Sequence, residues 1–210
     1  MKDLILLVAD KAQKALLEAL LERIPRVEGW PTAPSYDCIV YPNRDAGVRQ
    51  DAAEFLRNDQ ANYRHALVLF DLEGCGVEEN ITANEIAAGV EQELSISGWP
   101  EDRCATVVLV PEIESWVWVG ETHIQEVIGW RENLSVYEWL RHQTTFLPDE
   151  AATKPIRSKE ALLAVLQHIR QPYSSALFGR IAARASYRRC HDPAFLKLLT
   201  HLRQWFNPNQ

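Results

Sequence analysis

Apolar and polar positions along the chain switch repeatedly between two rhythms. Short unbroken apolar runs alternate with stretches whose apolar residues recur every three or four positions, the pattern of βα units around a mostly parallel sheet. Leu4 to Ala9 reads as a buried strand. Ala12, Ala15, Leu16, Ala19, Leu20 and Ile24 follow at helical spacing up to Pro25, where the missing N–H of proline is expected to end the helix. Tyr36 to Tyr41, between Pro34 and Pro42, predicts a second strand; Val48 to Asn58 predicts a helix and His65 to Phe70 a third strand. Asp71-Leu72-Glu73-Gly74-Cys75-Gly76 reads as a loop, Ile81 to Leu94 as a covering helix and Arg103 to Val110 as a fourth strand. This order predicts a doubly wound α/β layer whose functional loops sit at the carboxyl ends of the strands.

From Pro111 onward the strand signal stops, and helices are predicted over 113–119, 123–128, 136–143, 159–169, 174–185 and 193–205. Asp149 to Ser158, with Pro148 before it and Pro155 inside it, reads as a linker. The expected organisation is an α/β core with a helical insertion over 1–147, and a basic helical extension over 148–210 packed on that core.

Composition narrows the class. With 210 residues, 47% hydrophobic and 24% charged, the chain can bury one substantial core, which excludes a disordered or a disulfide-scaffold protein. Its longest apolar runs, residues 4–9 and 105–110, fall far short of the roughly 20 residues that cross a bilayer. Residues 1–10 also lack the longer apolar region of a secretory signal, so no membrane partner and a cytoplasmic location are expected. Cys38, Cys75, Cys104 and Cys190 form no close pair and read as reduced thiols; the histidines have no zinc spacing, and neither a serine-nucleophile signature nor a phosphate-binding glycine loop is present.

The net charge of -7 hides an asymmetry: residues 1–150 hold 12 Lys+Arg against 27 Asp+Glu, whereas residues 151–210 hold 10 against 2. The basic end either docks on the acidic body or faces a polyanion while the body holds metal. Arg180, Arg184 and Arg188 repeat every four residues along one helical face, and with Lys154, Arg157 and Arg189 they are the candidate nucleic-acid contacts. The tryptophans are expected mainly in the core.

Acids stand at three predicted strand ends: Asp10 after the first, Asp71 and Glu73 after the third, Glu112 and Glu114 after the fourth. A side chain there faces the ligand crevice of a parallel sheet. Carboxylates converging on it suit a hard cation, Mg²⁺ or Mn²⁺, which prefers oxygen ligands and can polarise a phosphodiester and acidify an attacking water. Asp71 and Glu73 equally suit a plain turn. Asp71, Glu73, Asp10 and Glu114 are thus the candidate catalytic residues, and Asp71, Glu73, Asp10 and Glu112 the candidate metal ligands.

The succession strand, helix, strand, helix, strand with Asp71-Leu72-Glu73-Gly74, then a further strand, resembles a Toprim domain, the metal-binding module of topoisomerases, primases and overcoming-lysogenisation-defect nucleases. In that family an acid ends the first strand and an Asp-x-Asp pair the third. Asp71 matches the first acid of the pair, and Glu73 stands at the second. Leu6-Leu7-Val8-Ala9-Asp10 is similar to the family's apolar-Val-Glu-Gly segment, with Ala9 in place of the glutamate and Asp10 one position later. Pro111-Glu112-Ile113-Glu114-Ser115-Trp116 and the basic helical end resemble a bacterial Toprim-like branch found with phage-defence genes, which includes RloB-like proteins and related families of uncharacterised function, and the layout of the helical end is similar to the small Toprim-like component of methylation-associated defence systems. The resemblance implies a Mg²⁺-dependent, nuclease-like protein acting on nucleic acid among other defence proteins. The altered first strand implies the alternative, an inactive Toprim-like subunit that binds protein partners or a nucleotide.

Overall fold

The computed structural model describes the chain except residues 78–79, 119–120, 144–145, 147–153, 187–189 and 208–210. Four parallel strands, β1 (Lys2–Val8), β2 (Tyr36–Val40), β3 (Tyr63–Asp71) and β4 (Cys104–Leu109), form one sheet in the order β2-β1-β3-β4. The central pair is in register with Leu4 beside His65 and Val8 beside Leu69. Both faces of β1 and β3 are covered, so these strands are runs of apolar residues instead of alternating ones.

Alternation along the strands feeds two unequal cores. Leu4, Leu6, Val8, Leu67 and Leu69 join helix α1 (Lys11–Glu28) and the helices after the sheet, whereas Ile5, Leu7, Val68 and Phe70 meet α2 (Arg44–Leu56) and α3 (Ala83–Ile96). The larger core also takes residues from α4 (Glu121–Ile128), α5 (Val136–His142), α6 (Ser158–His168), α7 (Ser175–Arg184) and α8 (Pro193–Phe206). With α1 on one face and α2 and α3 on the other, the winding reverses between β1 and β3. A ligand crevice forms at such a point.

Several element bounds differ from the periodicity. Helix α1 runs through Pro25 to Glu28, because Pro25 and Ile24 are both in the core and the true stop is Gly29 in the left-handed conformation (φ 72°). Helix α3 starts at Ala83, not at the exposed Ile81, because Thr82 and Glu85 form a capping box. Of the helix expected over 113–119, residue 119 lies outside the described residues, residues 117–118 continue as a turn, and Ile113–Trp116 forms a 3₁₀ turn. All four of its side chains are buried, so no polar face remains for an amphipathic helix, and Trp116 Nε1 donates to Asp192. Of the expected linker, residues 149–153 lie outside the described residues.

Helix α7 ends at Arg184, and Ala185 leaves the helical region (ψ 139°). The arginine stripe therefore reduces, in the described chain, to Arg180 and Arg184; Arg188 and Arg189 lie outside the described residues. Among the described residues, no helix is long and apolar enough to cross a membrane.

Candidate metal centre

The site is built where β3 and β4 end together. Leu72 N–H donates to the Leu109 carbonyl and Glu73 N–H to the Pro111 carbonyl, which prolongs the pairing one step past the sheet. Asp71 is the last residue of β3, and the chain leaving β4 returns Glu112 and Glu114 beside it. One carboxylate oxygen from each of Asp71, Glu112 and Glu114 lies within 4.8 Å of the others. These residues are only 8%, 4% and 1% exposed.

Each acid has a distinct set of partners. Asp71 Oδ1 accepts from Gln13 Nε2 at 3.0 Å and from the Ile113 amide at 3.1 Å. Glu112 Oε2 is 2.5 Å from Lys159 Nζ, and Glu114 Oε1 accepts from the Tyr173 hydroxyl at 2.5 Å. Glu114 Oε2 is buried with no hydrogen-bond partner among the described residues. A buried carboxylate oxygen without a donor is unfavourable unless a proton or a cation meets it.

The electrostatics point the same way. Burial, then the charges of Asp45, Glu114, Asp10 and Glu112, push the Asp71 carboxyl up to about 9. Burial likewise raises Glu112, against the opposing pull of Lys159. Burial would lower the Lys159 ammonium, but the hydrogen bond to Glu112 and the charges of Glu114, Glu112 and Asp71 outweigh it and raise the group. A divalent cation among these oxygens would replace the protons and suit the all-oxygen donor set.

The other expected site residues are placed differently. Asp10 caps α1, its Oδ1 accepting from the amides of Ala12 at 2.7 Å and Gln13 at 2.8 Å. Glu73 is exposed and outside the triad, because the chain leaves the strand at Asp71 and turns at Gly74 (φ 89°). Lys154 pairs with Asp192 at 3.1 Å, Arg157 pairs with Glu160 at 2.6 Å, and Arg180 and Arg184 are exposed.

Four contributors carry no local signal of their place in the site. Gln13, fully buried, accepts from the Ala9 amide at 2.8 Å and donates to Asp71, so a neutral amide links the chain just after β1 to the acids. Asp45 accepts from the Asp71 amide at 2.8 Å. Lys159 and Tyr173 arrive from the helical end. Only the clustering of cations after residue 150 hinted that such a group would face the acids.

A parallel β2-β1-β3-β4 sheet flanked by helices, with an acidic cluster at its carboxyl edge, defines a Toprim-like α/β fold. The chain is similar throughout to a solved structure, the C-terminal region of the Burkholderia pseudomallei OLD protein, with a TM-score of 0.56 over 97% of this chain and 98% of that one, at 15% identity. At that identity the likeness is one of fold. No family model matches the chain, and no curated protein matches it.

Proposed function

We propose that the protein is a Mg²⁺- or Mn²⁺-dependent, nuclease-like protein that acts on phosphodiesters of nucleic acid. The observation that carries this reading is the convergence of Asp71, Glu112 and Glu114 around the buried Glu114 Oε2, which has no hydrogen-bond partner among the described residues. These three would hold the cation, which would polarise the phosphodiester and lower the pKa of the attacking water. The protein's own contribution is orientation: Gln13 and the Ile113 amide fix Asp71, Tyr173 fixes Glu114, and Lys159 holds Glu112 while also lining the neighbouring cavity. A role in a bacterial anti-phage defence system, in the cytoplasm and with other defence proteins, rests on the resemblance of Pro111–Trp116 and of the helical end.

A second reading is an inactive subunit that binds a protein partner or a nucleotide. It is favoured by Ala9 directly after β1, where the resemblance leads one to expect a glutamate, and by Asp10, whose carboxylate is engaged at the start of α1. Titration calorimetry with Mn²⁺, alongside cleavage assays on single- and double-stranded DNA and RNA, separates the readings. The first expects Mn²⁺ binding and metal-dependent cleavage by the wild type, both abolished in Asp71→Asn/Glu114→Gln. Binding without cleavage supports the second. Equal Mn²⁺ binding by wild type and variant removes the metal role altogether.

A further inference from the structure

Beside the acidic triad, a cavity of about 630 Å³ opens over the carboxyl ends of β1 and β2. Its wall includes Asp10, Lys11, Tyr41, Arg44, Lys159 and Tyr173. Three cations thus face one acid, and the Asp10 oxygen Oδ1 is already engaged by two amides of α1. Lys11 and Arg44 are exposed and form no ion pair among the described residues, so their charges are free for an anion. Lys159 links this basic wall to the triad through Glu112.

Two local features shape the cavity's rim. Arg44 sits in the left-handed region (φ 53°), a conformation that a residue with a Cβ rarely adopts, and which persists only where surrounding structure enforces it. Tyr41 is held from two sides: its hydroxyl donates to Asp51 at 2.9 Å, and its ring lies where a Cβ on Gly47 would approach to 3.0 Å. A Cβ there would meet the Asn43 Cβ still closer, at 2.3 Å, so glycine at 47 lets both Asn43 and this ring lie against the first turn of α2. A fixed ring beside free cations can offer a surface for a base next to a seat for its phosphate.

The volume falls within the roughly 300–1,000 Å³ of small-molecule sites. It has room for one nucleotide, and a base laid on the Tyr41 ring has left the stack of a duplex. We propose that this cavity seats a single unpaired nucleotide, its phosphate on Lys11 and Arg44 and its base toward Tyr41. It would thereby select single-stranded nucleic acid, or a free nucleotide, over duplex. This deepens the metal-dependent reading above and rests on it for the chemistry at the adjacent triad, but the binding itself needs no metal.

The test is fluorescence anisotropy in EDTA with a labelled twelve-residue oligothymidylate, a duplex of equal length, and thymidine monophosphate as competitor. The wild type should bind the single strand more tightly than the duplex. Lys11→Ala/Arg44→Gly should weaken single-strand binding by about tenfold or more, since one charge-assisted hydrogen bond to phosphate is of that order. The double variant should also flatten the salt dependence by about 0.7 in the log–log slope, the contribution of the one single-strand phosphate that is no longer neutralised. Arg44→Gly alone guards against misfolding: glycine relieves the left-handed backbone, so its melting temperature should equal or exceed that of the wild type while binding still falls. Displacement by the monophosphate assigns the cavity to a free or terminal nucleotide, and displacement by the oligomer alone assigns it to a nucleotide within a strand. Equal affinity for duplex, unchanged affinity in the variants, or no binding of any probe overturns the proposal. Mn²⁺ titration of the same proteins keeps the two readings apart. Loss of oligomer binding in the double variant with no Mn²⁺ bound by the wild type would leave the cavity standing and the metal reading fallen, and the converse result would do the opposite.

Discussion

A carboxyl group at the end of β3 meets opposing demands, because Asp71 must accept hydrogen bonds from Gln13 and Ile113 while buried among other acids. Raised to about 9 from an unfolded value near 3.9, it is protonated in the folded, metal-free protein at neutral pH and ionised in the unfolded chain. Its unfavourable contribution to stability is therefore absent below about pH 4 and grows as pH rises toward 9. Asp71→Asn keeps an oxygen for both donors and removes the titration. In EDTA at pH 8 the variant should be the more stable by on the order of 2 kcal/mol, a gap that narrows at pH 5. Added Mn²⁺ should raise the melting temperature of the wild type alone. Thermal melts at both pH values check this, and a metal-free wild type more stable than the variant at pH 8 contradicts it.

Among the elements, α8 ties the helical end to the sheet. Asp192 caps it and Pro193 opens it, while Lys197 pairs with Glu91 at 3.0 Å and Arg203 with Glu28 at 2.8 Å. Its last turn lays Trp205 over His65 on β3, with ring centroids 4.6 Å apart, and brings Phe206 edge-on to the same imidazole. Burial first, and then the nearby Arg103, lower His65 to about 4, so the folded protein holds it neutral. A histidine depressed below its unfolded value near 6.5 leaves stability intact above that pH and withdraws it as pH falls toward 4. His65→Phe should therefore remove about 2 kcal/mol of the stability lost by the wild type between pH 7 and pH 5, as read from urea midpoints. Equal acid sensitivity in the two proteins would show that α8 does not hold the imidazole neutral.

Across the whole molecule, the charge asymmetry resolves into two populations of cations. Lys159, Lys197 and Arg203 pair with Glu112, Glu91 and Glu28, so part of the basic end docks on the acidic body. Arg180 and Arg184 stay exposed on α7, with no ion pair among the described residues. Reversing these two to Glu should change stability by no more than about 0.5 kcal/mol, as for surface sites without partners. On the proposed function it should also weaken nucleic-acid binding and reduce its salt dependence. Lys197→Glu should instead lower the melting temperature by setting two like charges together. A melting temperature that falls equally in both variants would mean that α7 also docks by charge, and would remove its arginines from the nucleic-acid surface.

Much of the fold is legible because a parallel strand buried on both faces must be an apolar run, and residues 4–8 and 66–70 are such runs, as are 104–109 apart from the buried Thr106. Strand ends are then legible too, which is why Asp71, Glu112 and Glu114 stand out in the chain before any coordinates. Local chemistry also decides against Asp10 as a ligand free of other duties, since an Asp preceding a helix is as much a cap as a ligand. Spacing alone cannot separate Glu73, one step into a turn, from an acid still on the strand. Nor does helical periodicity reveal that Pro25 lies inside α1, because the packing of Ile24 and Pro25 and the stop at Gly29 outweigh a single missing hydrogen bond. The sequence by itself determined the strands, the helices and the acids at their junctions, because burial and capping act over a few residues. Only the tertiary structure decided that Gln13, Asp45, Lys159 and Tyr173 complete the site, because each reaches it through contacts with residues 26 to 59 positions away. No local pattern encodes a meeting at that distance.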